Sequence, residues 1–100
     1  MKIECFSDEI LIARVARGDS HALEMLYDRH AAMVLGILVR ILGERTVAEN
    51  LLQETFWQVW RSATTYSSQT GPLTGWLFRI ARGLAIAEIQ TRVKTSGEIE

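Results

Sequence analysis

One hundred residues suit a single small domain, and 48% hydrophobic side chains supply the material for a real core. A formal net charge of −1 excludes a protein that coats nucleic acid by bulk positive charge and leaves only local patches for that purpose. The lone cysteine, Cys5, has no partner for an internal disulfide and no base or metal-type neighbour, which fits a cytoplasmic protein and a thiol without a role.

No charged, then apolar, then small-residue pattern opens the chain, so no signal peptide is expected. Ser7 is placed to cap a first helix whose opening residues, Asp8 and Glu9, suit the positive end of the helix dipole. Ile10, Leu11 and Val15 give this helix its apolar side, and Gly18 stops it. Asp19 then caps a longer helix from Ser20 to about Leu42. Leu23, Leu26, Tyr27, His30, Val34, Ile37, Leu38 and Ile41 recur every three or four residues and mark it as the central helix of the core, ended by Gly43. The apolar run Ala31 to Leu42 is too short for a bilayer, which takes roughly 20 residues, and it carries Arg40; no membrane insertion is expected.

A third helix is predicted from Thr46 to about Ala63, with Thr46 and Glu49 at capping-box spacing. One of its faces carries Asn50, Gln53, Glu54 and Trp57, stepping by three, one and three. A stripe of amide, carboxylate and indole is poor core material and good docking material. The opposite side, with Leu52, Phe56, Val59 and Trp60, feeds the core. Thr64 to Gly71 is polar and aperiodic and reads as a loop. Pro72 sits where a first helical turn tolerates it, and a fourth helix follows to about Val93 with Leu73, Trp76, Leu77, Ile80, Leu84 and Ala87 inward. Residues 1–94 thus form one domain, and 95–100, TSGEIE, read as a frayed tail or the start of a linker. With no strand alternation anywhere, the chain reads as all-α, a compact bundle of about four helices with short connections.

Catalytic chemistry is not evident. His21 and His30 stand nine positions apart on one predicted helix, no His, Cys or carboxylate cluster has metal spacing, and no glycine-rich phosphate loop occurs. His30, on the apolar face without a visible partner, reads as a core imidazole rather than a general base. A binding protein without metal or cofactor is the expectation, not an enzyme.

In order, GDSHALEMLYDRH, LGERTVAENLLQETFWQVWR and GPLTGWLFRIARGLAIAEIQ resemble region 2 of bacterial sigma-70 family factors, the extracytoplasmic-function group above all. The likeness runs from about Ser7 to Lys94. It implies the helical sigma-2 fold and a role in transcription initiation through two surfaces. By matched position, Asn50, Leu51, Gln53, Glu54 and Trp57 would dock on the coiled-coil clamp helices of the RNA polymerase β′ subunit. The loop from Thr65 to Thr70, with Tyr66, Ser67, Ser68 and Gln69, would hold a base flipped from the non-template strand of the minus-ten promoter element, and Arg79, Arg82, Arg92 and Lys94 would meet the DNA backbone. Trp76 shares the apolar face and reads as core.

The chain departs from the family pattern on its DNA side. Gly83 stands where Asn is frequent, at a helix cost of about 1 kcal/mol relative to Ala, Ala87 where Asp is frequent, and the usual arginine-rich run is thinned to Gln90, Thr91 and Arg92. The polymerase side keeps its pattern apart from Asn50, which replaces an acidic residue. The helix-turn-helix domain that follows in this group is not within these residues. The alternative is a sigma-like interaction module that binds polymerase or an anti-sigma regulator with little DNA affinity.

Overall fold

The computed structural model describes residues 6–99, and side chains for residues 6–93; Cys5 lies outside the described residues. Four α-helices run over Asp8–Ala16 (α1), Ser20–Leu42 (α2), Arg45–Ser62 (α3) and Leu73–Ile99 (α4), and no strand occurs among the described residues. The all-α bundle is the expected architecture, with α2 packed on each of the other three helices.

Local chemistry sets the first two helices. Ser7 Oγ accepts from the Ile10 amide at 3.2 Å, and Asp19 accepts from the amides of His21 at 3.0 Å and Ala22 at 3.2 Å. Gly43 ends α2 with φ 73° and donates to the Val39 carbonyl at 2.7 Å, the left-handed C-terminal turn that glycine adopts at little cost. In α1 the buried side is Leu11, Ile12 and Val15, and Ile10, expected inward, is 46% exposed. Three consecutive apolar residues span about 200° of helix, more than the face packed on α2 accommodates, and Ile10 is the one turned out. In α2, Leu26, His30, Val34, Leu38 and Leu42 form the buried seam at a spacing of four, with Leu23, Tyr27, Ile37 and Ile41 half-buried beside it.

His30 is buried as expected but has a partner. Its Nε2 lies 3.0 Å from both carboxylate oxygens of Asp8, and Arg29 donates to the same carboxylate at 2.8 Å. A separation of 22 positions along the chain hides the pair from any helical spacing rule.

The third helix starts one residue before the expected Thr46. Glu44 occupies the cap position and makes no side-chain cap bond, so the predicted Thr46–Glu49 box is not formed. With Arg45 already helical, Thr46 falls inside the first turn, and Glu49 instead accepts from Arg45 Nε at 2.9 Å across one turn. Leu52, Phe56 and Val59 are buried and Trp60 packs partly against them, as anticipated; Thr55 is fully buried too, its hydroxyl donating to the Leu51 carbonyl at 2.8 Å.

The expected loop is wound into two short 3-10 turns, Ala63–Thr65 and Ser68–Thr70. Side chains take over the backbone's hydrogen bonding there: Ser67 Oγ accepts from the Gln69 amide, and the Thr70 hydroxyl donates to the Ser67 carbonyl at 2.7 Å. Pro72 precedes α4 rather than opening it, its carbonyl accepting from the Trp76 amide at 3.4 Å. The buried seam of α4 is Leu73, Leu77, Ala81 and Ala85; Trp76, Ile80 and Leu84 flank it half-buried, and Ala87, expected inward, is exposed. The two alanines are fully buried and bring the smallest side chains to this seam. The helix continues past Val93 to Ile99 through a segment without proline.

Candidate functional site

Helix α3 presents the anticipated stripe to the outside. Asn50, Gln53 and Trp57 are exposed, Glu54 is half-buried, and Leu51 packs partly against the core. Trp57 is 55% exposed, the most solvent-exposed of the large apolar side chains on α3. Beneath it lies a cleft of about 170 Å³ lined by Leu23, Tyr27, Gln53, Phe56 and Trp57. Its floor is rigid, since Tyr27 and Phe56 meet edge to face with ring centroids 5.0 Å apart. Arg61, seven residues or about two turns after Glu54, donates to Glu54 at 3.0 Å and to Gln58 at 3.2 Å, which holds the Glu54 carboxylate in place at the rim. The sequence had marked the stripe but not Leu23 and Tyr27 as its apolar neighbours on α2, nor Arg61 as the partner of Glu54.

The second candidate surface surrounds the turns between α3 and α4. Tyr66 is half-buried; its ring sits 5.3 Å from that of Trp76, and its hydroxyl donates to the Gly71 carbonyl at 3.0 Å. Burial, and then the carboxylates of Glu9 and Asp8, push the phenol above its ordinary pKa, so it remains a neutral donor. Tyr66 therefore braces the turn, and Trp76 is half-buried against it rather than plain core. Ser67, Ser68 and Gln69 are exposed and, with Glu9, Ile12 and Ala13 of α1, surround a hollow of about 390 Å³. The α1 wall of this hollow was not visible in the sequence, because it is created by packing.

On α4, Arg79 and Arg82 are exposed on one face, with Phe78 42% exposed beside them. Phe78, Arg82, Met33, Ile37 and Arg40 line a groove of about 550 Å³ between α2 and α4. Gly83 and Ala87 are exposed and bring no polar group to this side. Arg92 is placed differently: it donates to Glu44 at 3.0 Å and to Glu88 at 3.3 Å, tying α4 to the start of α3. Thirteen residues of helix also put it about 20 Å from Arg79 and about 140° round the axis. Lys94 belongs to α4, and its side chain lies outside the described residues. The structure thus brings the polar turn together with α1 and keeps Arg79 with Arg82, but it separates Arg92 from them. Among the described residues there is no cluster able to hold a metal ion and no helix long and apolar enough to cross a membrane.

The family model for sigma-70 region 2 matches residues 26–95. The chain is 32% identical over 88 residues to the ECF RNA polymerase sigma factor SigK of Mycobacterium sp. (strain KMS), covering 88% of this chain and 46% of that protein. It is 31% identical over 86 residues to SigK of Mycobacterium ulcerans (strain Agy99), covering 84% of this chain and 46% of that one. The chain therefore spans about half the length of these relatives. In fold it is similar to an engineered region 2 of sigmaE, solved by NMR in complex with GTAAAA, with a TM-score of 0.82, 23% identity, and coverage of 94% of this chain and 97% of that one. Four helices in the sigma-2 arrangement, the exposed α3 stripe and the region 2 match over most of the length agree: the chain belongs to the sigma-70 family, as a region 2 domain of the extracytoplasmic-function (ECF) group.

Proposed function

We propose that this domain works in the cytoplasm in bacterial transcription initiation, by docking on the β′ clamp helices of RNA polymerase core and by engaging the non-template strand of a minus-ten promoter element. The observation that carries the first half is the exposure of Trp57 above the Leu23–Tyr27–Phe56 cleft, with Asn50, Gln53 and Glu54 along the same ridge. A rigid helix with a central aromatic anchor and a polar rim is how helix-to-helix interfaces concentrate binding energy. The second half rests on the hollow beside Ser67, Ser68 and Gln69 and on the Arg79–Arg82 face, where exposed cations meet a phosphate backbone and Phe78 offers a stacking surface. The work is binding, not catalysis. Titration of a β′ clamp-helix fragment by calorimetry tests the docking: wild type binds, and Glu54→Ala and Trp57→Ala weaken binding. Unchanged affinity in both variants defeats the proposal.

One observation favours a narrower second reading. Gly83 and Ala87 add no polar group to the outer face of α4, and Arg92 is held by Glu44 and Glu88, so Arg79 and Arg82 leave the cationic surface thin. On that reading the domain binds polymerase or an anti-sigma factor and has little affinity for DNA; absence of binding to minus-ten single strands at low salt selects it.

A further inference from the structure

The hollow between α1 and the 3-10 turns has two unlike walls. On the α1 side, Ile12 and Ala13 are apolar and Glu9 is a carboxylate; on the other, Ser67, Ser68 and Gln69 supply hydroxyls and an amide. Apolar surface suits the faces of a flat ring, and the hydroxyls and amide suit its edges, since each both donates and accepts. Glu9 differs in kind because an ionised carboxylate only accepts. A base that places an exocyclic amino group beside it satisfies it, whereas a base that places a carbonyl there confronts it with a second acceptor.

The α1 backbone is held firmly for such a role. Asp8, the neighbour of Glu9, is gripped by His30 and Arg29 of α2 at 2.8 to 3.0 Å, which pins the first turn against the bundle. Helix α1 precedes residues 26–95, the stretch the region 2 model matches, so this wall joins the matched turns only through packing.

We propose that Glu9 makes this hollow selective for an extruded base carrying an exocyclic amino group (cytosine, adenine or guanine) over thymine, the DNA base without one. The inference rests on the nucleic-acid half of the proposed function. It carries a signature that a structural role does not share. A carboxylate near a phosphodiester chain repels it, so the same residue that favours amino-bearing bases also weakens binding of every strand.

The test is fluorescence anisotropy of the 100-residue chain with 5′-labelled single strands dC6 and dT6 at low salt and pH 7.5, on wild type, Glu9→Gln and Glu9→Asp. Wild type holds dC6 about tenfold more tightly than dT6. Glu9→Gln brings the two within about twofold, chiefly by tightening dT6, because the repulsion is gone and an amide can also donate. Glu9→Asp retains the charge at a shorter reach, so it lowers the preference without tightening dT6. Equal affinity of wild type for the two strands, or a preference unchanged in Glu9→Gln, overturns the role of Glu9 and leaves DNA binding standing. Failure of both strands to bind at low salt overturns the nucleic-acid reading itself, and this inference with it.

Discussion

The His30 imidazole closes on Asp8 with Nε2 3.0 Å from each carboxylate oxygen, and this contact clasps the first helix to the second. The imidazole is almost wholly buried and the carboxylate only partly so, so the pair sits at the boundary of the core, where a lost hydrogen bond is not fully replaced by water. Replacing His30 by Ala should cost about 2 kcal/mol of stability, seen as a lower urea midpoint at unchanged slope. A midpoint equal to that of wild type would show that the clasp contributes nothing net.

The same clasp predicts an acid-side loss of stability. Burial disfavours the Asp8 charge, but hydrogen bonds from His30 and Arg29, together with their nearby positive charge, outweigh it and hold the carboxyl below its ordinary pKa. A carboxyl lowered by folding stabilises the fold above its unfolded pKa, and that contribution is lost as pH falls through the folded value. Stability should therefore be intact at neutral pH and decline below about pH 4, the unfolded carboxylate range. Asp8→Asn should be less stable than wild type at pH 7 and show a flatter decline in acid; parallel melting-temperature profiles from pH 7 to pH 3 would refute this.

Trp57 and Phe56 are adjacent in sequence and opposite in consequence. Phe56 is 4% exposed and Trp57 55% exposed. Phe56→Ala should cost about 3 to 5 kcal/mol of stability by leaving a cavity under the α3 ridge. Trp57→Ala should change stability by less than about 0.5 kcal/mol, yet weaken binding to a β′ clamp-helix fragment by about 2 kcal/mol, roughly 30-fold in Kd. A large loss of thermal stability in Trp57→Ala would make it a packing residue and remove the anchor from the docking proposal.

What was legible in the sequence followed the range of the forces involved. The limits of α1 and α2 were readable because Ser7, Asp19, Gly18 and Gly43 act within a turn of themselves. The α3 stripe was readable because a helix with one buried face leaves the other out, and spacing alone separates them. The start of α3 was not, since Thr46 and Glu49 match a capping pattern that competes with the Arg45–Glu49 pair actually formed. Ala81 and Ala85 escaped because small residues carry little hydrophobic signal, although both are fully buried in the α4 seam. The Asp8–His30 clasp, the α1 wall of the hollow and the diversion of Arg92 to Glu44 are tertiary, and local pattern cannot register them.

The phenol of Tyr66 reaches the Gly71 carbonyl at 3.0 Å and thereby spans the second 3-10 turn. Gly71 itself has φ 128° and ψ 179°, a conformation that side chains other than glycine's rarely adopt, so the turn needs both a fastening and a glycine at this point. Tyr66→Phe keeps the ring against Trp76 and loses only the hydroxyl bond, at about 1 kcal/mol. Gly71→Ala should cost about 1 to 3 kcal/mol through backbone strain. Both variants should speed amide hydrogen exchange at residues 67–71 more than in α2; uniform change across the chain would show that the turn is not held separately from the bundle.

The three arginines assigned to DNA by matched position should not behave alike. Arg79 and Arg82 are exposed and three residues apart on one face, whereas Arg92 is bound to Glu44 and Glu88 on another. A cation that neutralises a phosphate of single-stranded DNA contributes about 0.7 to the slope of log K against log salt concentration. Arg79→Ala and Arg82→Ala should each lower that slope by about this amount for a minus-ten single strand, with little effect on folding. Arg92→Ala should leave the slope nearly unchanged and instead lower stability slightly, by no more than about 1 kcal/mol, because its ion pairs are partly solvated. Equal slope reductions for all three would mean that Arg92 leaves Glu44 when DNA binds, and that the cationic surface is longer than the Arg79–Arg82 face.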